Sequence, residues 1–194
     1  MFISSFMRNG AQFHGIQKSD GNKTFDVAVT ILHVNPEQSM LCGFFKISGL
    51  SGNNSSLTTY FEAEIIGDKY GFLTRWPEWG ASESTDYKHW KRLGAFQYAK
   101  RKVPLRKIKP FNPWRKGTVY MRWKELAMLD KVNDFQFRSR NSSSDVSFEG
   151  FYYIAFSQRT GRITGYYYHY KFDHFQYLEL DPVVDGTFPI LEFQ

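Results

Sequence analysis

A single cysteine, Cys42, stands in 194 residues. An internal disulfide is therefore out of reach, and a reducing compartment, cytosol or nucleus, is the natural setting. No apolar run approaches the roughly 18 residues that a membrane-spanning helix needs. The opening Met1-Phe2-Ile3-Ser4-Ser5-Phe6-Met7-Arg8 lacks a basic start and a long apolar stretch, so it does not read as a secretion signal. Triplets such as Asn22-Lys23-Thr24 then carry little weight as glycosylation acceptors. Gly-rich phosphate loops, Cys/His sets at metal-ligand spacing and nucleophile elbows are missing as well. These absences point away from an enzyme, and no metal or cofactor is expected.

What is abundant is aromatic: 19% of the chain is Phe, Trp or Tyr, within a hydrophobic share of 42%. That is enough apolar surface to offset chain entropy, and a chain this long fits one domain, residues 1–194, with 1–10 as a lead-in and 189–194 as a tail. Phe and Tyr favour strands, which moves the expectation to all-β. Phe25, Val27, Val29 and Ile31 alternate with polar or small residues, the period of a half-buried strand. Leu41 to Ile47 reads as a second strand, with Cys42 as an inert core residue. Leu57 to Ile66 reads as a third, with Thr59, Phe61 and Ala63 sharing one face. Many short strands at this spacing suggest a sandwich or a barrel. The pattern breaks at Ser84-Thr85-Asp86, where Thr85 is a fair N-cap; Tyr87, Trp90, Leu93 and Phe96 then recur at helical spacing towards Lys100, with a flaw at Gly94. Strand returns over Thr118 to Glu125. The glycine-led runs Gly150-Phe151-Tyr152-Tyr153 and Gly165-Tyr166-Tyr167-Tyr168 read as one hairpin turning at Gln158-Arg159-Thr160-Gly161. A two-residue loop there pairs Tyr152 with Tyr167, and a three-residue loop does not. A turn or short helix near Phe172 to Gln176 and a last strand from Tyr177 to Leu180 follow.

The net charge of +6 is local. Lys100, Arg101, Lys102, Arg106, Lys107, Lys109, Arg115 and Lys116 cluster with no acid among them, and setting these eight aside turns +6 into −2. Pro104, Pro110 and Pro113 bar a continuous helix or central strand, so a solvated loop is expected.

Few residues suggest chemistry. His169, Asp173 and His174 lie close in sequence but read as solvent-facing residues around a turn. Glu125 is of greater interest, because it closes a strand whose odd-numbered face is otherwise Val119, Met121 and Trp123. An acid there is either a rim partner for Lys124 or Arg122, or a carboxylate available to a ligand's ammonium group.

At this point the motifs match a known pattern. Gln12-Phe13-His14-Gly15-Ile16-Gln17, Leu57-Thr58-Thr59-Tyr60-Phe61-Glu62-Ala63, His89-Trp90, Met121-Arg122-Trp123-Lys124-Glu125, Ser147-Phe148-Glu149-Gly150-Phe151-Tyr152-Tyr153, Gly165-Tyr166-Tyr167-Tyr168-His169 and the closing Glu192-Phe193-Gln194 run nearly the length of the chain. Together they resemble the glucose-induced-degradation (vacuolar import and degradation) family, the substrate receptors of the GID/CTLH ubiquitin ligase. The resemblance implies an antiparallel up-and-down, lipocalin-like β-barrel with one or two inserted short helices, whose mouth grips a protein's free N-terminus, preferentially proline. It makes Glu125 the ammonium acceptor, Tyr152 and Tyr167 hydrogen-bonding walls, and Gln17 a contact to the peptide backbone. Ile47, Leu50, Leu57 and Phe148 would line the ring pocket, with Val27 and Ser147 beside it. Leu191, Glu192, Phe193 and Gln194 would dock on a helical scaffold subunit of the ligase. Clients would be proteins with N-terminal proline, gluconeogenic enzymes among them. Two rival readings are a lipocalin-type barrel for a small apolar ligand and nucleic-acid binding through the basic loop with Phe111 and Trp114; partners are expected to be proteins, not nucleic acid or membrane.

Overall fold

Alternation of inward apolar and outward polar residues builds eight strands that close on themselves. The computed structural model describes residues 5–19, 23–49, 56–96, 102–129 and 149–183, apart from the side chains of 172–175. The strands are β1 Gln12–Lys18, β2 Thr24–Asn35, β3 Met40–Ser48, β4 Ser56–Ile65, β5 Thr118–Met128, β6 Phe151–Ser157, β7 Ile163–His169 and β8 Phe172–Pro182. Each pairs antiparallel with the next in sequence, and β1 returns to β8 to close an up-and-down barrel. Closure removes every sheet edge.

Consecutive antiparallel strands put alternate connections at opposite ends. The β1–β2, β3–β4, β5–β6 and β7–β8 connections therefore surround one end, the mouth. The opposite end is plugged: Met7, from the lead-in, and Trp114, just before β5, are buried in the barrel core with Phe13, Phe156 and Ile163.

Three expectations need correction. The helix, α1 Glu83–Arg92, is capped by Ser82, whose hydroxyl accepts the Thr85 N–H at 3.2 Å, and it ends where Gly94 takes φ +88°. Phe172 to Gln176 is no turn or helix but the start of one continuous β8. Cys42 faces outward on β3, half-buried, because Leu41, Gly43, Phe45 and Ile47 take the inner face.

The basic segment also differs from a free loop. Two short 3-10 turns, Leu105–Lys107 and Pro113–Arg115, are pinned by Leu105, Ile108, Phe111 and Trp114, which turn inward at three-residue spacing while the neighbouring cations face water. Phe111 stacks on Phe72 with centroids 6.0 Å apart. The aromatics that nucleic-acid binding would need for base stacking are thus spent on the fold.

On the outer flank, α1 and the segment before it cover Phe151 and Tyr153. Buried Asp86 accepts the Thr74 N–H, the Thr74 hydroxyl and the Tyr153 hydroxyl, each at 2.7 Å. Arg122, on the outer face of β5, pairs with Glu64 at 2.8 Å. These satisfied polar groups hold the cover in one place.

Candidate functional site

The inner faces at the mouth end supply a mixed wall. Val27, Ile47 and Leu57 are consecutive cross-strand partners on β2, β3 and β4, so the register itself builds an aliphatic side. Facing them across the barrel, Tyr152 and Tyr167 are direct partners on β6 and β7, with ring centroids 5.0 Å apart. The hairpin between them has a four-residue loop, Gln158 to Gly161, closed by Ser157 and Arg162. Four residues keep the parity of a two-residue loop, and Gly161 at φ +73° makes the turn possible.

Glu125 shares the inner face with Met121 and Trp123 and lies opposite Phe61 of β4. Immediately after it, β5 carries a bulge: Tyr60 pairs with Ala127 and Phe61 with Glu125, leaving Leu126 as the extra residue. Leu126 is 53% exposed. Among the described residues, Glu125 is the only carboxylate on an inward row. The rim ion pair with Arg122 does not form, since Arg122 points outward to Glu64. Lys124 reaches the backbone carbonyls of Glu149 and Gly150 at 2.9 and 2.8 Å.

Burial pushes the Glu125 carboxyl above the usual carboxylate range, a trend opposed by a hydrogen bond from Thr59 and by the charge of Lys124. The Thr59 hydroxyl donates to Glu125 Oε1 at 2.6 Å. Beneath this pair the barrel is filled rather than hollow: Trp123 stacks on Phe61 at 4.6 Å, and Phe45 packs on Tyr152 at 5.4 Å. The site is consequently a shallow mouth over a packed interior, as small eight-stranded barrels allow.

The polar groups have a defined direction. The Tyr152 hydroxyl donates to Gln17 Oε1 at 2.9 Å, and Gln17 Nε2 donates to Gln176 Oε1 at 2.5 Å. With its one proton engaged, the Tyr152 oxygen offers a ligand only lone pairs. The Tyr167 oxygen accepts the Gly150 N–H at 3.2 Å. Burial and the nearby Glu125 raise both tyrosine pKa values, so both stay neutral. The described floor of the mouth thus presents the Glu125 carboxylate and the Tyr152 lone pairs as acceptors, beside a Tyr167 hydroxyl that keeps its own proton. The carboxylate and those lone pairs can receive N–H donors.

Leu50, Ser147 and Phe148, and the tail residues Leu191, Glu192, Phe193 and Gln194, lie outside the described residues. His169 is buried rather than solvent-facing: its Nδ1 accepts the Lys171 N–H at 3.1 Å, and its Nε2 contacts Glu149 at 3.2 Å. Among the described residues, no group of His, Cys, Asp and Glu side chains could hold a metal. Thr59 and Gln176 are the site residues that sequence reading missed. Thr59 left a signal, as a polar residue in the inward row with Phe61 and Ala63. Gln176 left none, because its strand was read as a turn.

Known proteins are similar to this chain over nearly its whole length. Residues 6–183 match the family described as vacuolar import and degradation protein. The chain is similar to the Schizosaccharomyces pombe GID complex substrate-recognition subunit 4, at 58% identity over 191 residues and 98% of each chain. It is 41% identical over 200 residues to the Mus musculus glucose-induced degradation protein 4 homolog, covering 98% of this chain and 84% of that one. Over 200 residues it is 30% identical to the Saccharomyces cerevisiae GID complex substrate-recognition subunit 10, with 91% and 68% covered. Among the described residues, no helix is long and apolar enough to cross a membrane.

Proposed function

The chain belongs to the vacuolar import and degradation family, and from that premise we propose that it is a non-catalytic substrate-recognition subunit of a GID ubiquitin ligase. Its mouth captures the free N-terminus of client proteins, preferentially proline, for ubiquitin-dependent degradation; gluconeogenic enzymes are the clients the family suggests. The tail Leu191 to Gln194 docks on a helical scaffold subunit.

The observation that carries this reading is the acceptor set over a packed interior. A protonated proline amine has two N–H donors and a compact apolar ring. Glu125 takes one donor as a charge-assisted hydrogen bond in a partly desolvated place, and the Tyr152 lone pair takes the other. Val27, Ile47 and Leu57 receive the ring. Amine capture of this kind is a recurrent recognition mode.

Titration calorimetry with a short proline-initiated peptide and its N-acetylated twin tests the reading. Binding lost on acetylation supports amine capture; equal binding of both peptides indicates the small-apolar-ligand alternative and overturns it. Glu125→Ala is expected to weaken the free peptide by about 2–5 kcal/mol, the usual effect of removing one side of a buried charge pair. That is on the order of 30-fold or more. Unchanged affinity would remove Glu125 from the site.

A further inference from the structure

We propose that Thr59 is a positioning residue for amine capture, whose hydroxyl aims the Glu125 carboxylate and holds it in its ionised form. The inference rests on the receptor reading above. Thr59 is 1% exposed, on the inner face of β4, and its Oγ1 lies 2.6 Å from Glu125 Oε1 and 3.3 Å from the Phe45 carbonyl. A hydroxyl has one proton to donate. The shorter contact has the length of an O–H···O⁻ bond, so the proton goes to Glu125 when that group is charged, and the second carboxylate oxygen is left for a ligand N–H. When Glu125 takes up a proton, the hydroxyl turns to the Phe45 carbonyl and Oγ1 accepts from the carboxyl. Neither protonation state then strands a buried donor, and Thr59 tilts the balance towards the charged one. The other titratable groups acting on this carboxyl are Lys124 on its own strand, Tyr152 on β6 and Tyr167 on β7; Gln17 and Gln176 carry no charge.

The register brings the pair together. Phe61 pairs with Glu125, and Thr59 is two residues from Phe61 on the same inner face of β4, which places it diagonally beside Glu125.

The test is the affinity of a proline-initiated peptide between pH 5 and 8 for wild type, Thr59→Val and Thr59→Ser. Thr59→Val keeps the shape and loses the donor. It should bind roughly tenfold or more weakly at neutral pH, the usual effect of deleting a hydrogen bond to a charged group. Its affinity should also begin to fall at a higher pH than that of wild type, because the carboxylate has lost its donor. Thr59→Ser should restore both. In a Glu125→Gln background, Thr59→Val should cost nothing further, a cycle that remains readable with Thr59→Ala should the valine variant fold poorly. A Thr59→Val protein with wild-type affinity and an unmoved pH profile overturns the assignment. A loss shared equally by Val and Ser, with no shift in profile, also overturns it and makes the role one of packing. Wild type that ignores the peptide at every pH overturns the receptor reading, and this inference with it.

Discussion

Under the proposed amine capture, Glu125 sets function against stability at a single position. Its folded-state pKa lies above the ordinary value because burial disfavours the charge. When ionised, the group sits in a poorly hydrated place and therefore subtracts from stability. That penalty fades as pH falls through the folded-state pKa and is gone below the unfolded value of roughly 4.3. Glu125→Gln keeps the Thr59 contact without the charge. The variant should melt above wild type at pH 7, with a gain that shrinks as the pH is lowered, while amine binding is weakened. The comparison must be between the two proteins. Burial holds His89 neutral, with a lowered pKa, and this adds to both curves a separate loss of stability on the acid side of neutrality. A variant that melts lower at neutral pH would mean that the carboxylate is well solvated. At this scale the sequence was legible where a residue broke its row: an acid after Val119, Met121 and Trp123 announced itself. Cys42 was not, because its neighbour on the same face, Phe44, is apolar, and the one charge on that face, Lys46, stands near the strand's end.

Strands with strict alternation were equally plain from sequence, while β1 was not recognised as a strand. Its inward row is Phe13, Gly15 and Gln17, in which glycine and an amide interrupt the apolar signal. Both interruptions have structural reasons. A Cβ at Gly15 would lie 2.0 Å from the Glu179 carbonyl oxygen and 2.9 Å from the Leu180 Cα, backbone atoms of the strand that closes the barrel. Neither can move without opening the β1–β8 ladder. Gly15→Ala should therefore destabilise by roughly 1–3 kcal/mol or more, as overpacking does, read in a melt as a fall of about 2–4 °C per kcal/mol. A melt unchanged within a degree would show that the seam yields. The start of β8 was hidden for a different reason: Phe172 to Gln176 lacks alternation, and its strand character comes from pairing with β7, including the irregular step between Tyr167 and His169. The helix was visible by its period, but not its end, since a positive φ at Gly94 is a property of packing rather than of spacing.

Taken whole, the barrel has two unlike ends. The mouth holds Glu125 and its neighbours. β8 runs from the mouth to the plugged end, where Pro182 pairs with Phe13 and the chain continues. Eleven residues of strand separate the ends by about 35 Å of chain. On the proposed reading, the tail that follows engages a scaffold while the opposite end faces the client. Deleting Leu191 to Gln194 should abolish co-purification with the scaffold subunit and leave peptide affinity in calorimetry unchanged; loss of both would make the tail part of the fold.

The order of the strands has one more consequence. Every mouth connection leaves one strand and enters its immediate neighbour, and both strands are already paired on their far sides. Such a loop can be lengthened, shortened or exchanged as a cartridge, without any ladder changing register. Changes of length or sequence in the mouth loops would thus leave the inward row of Glu125, Tyr152 and Tyr167 where it stands.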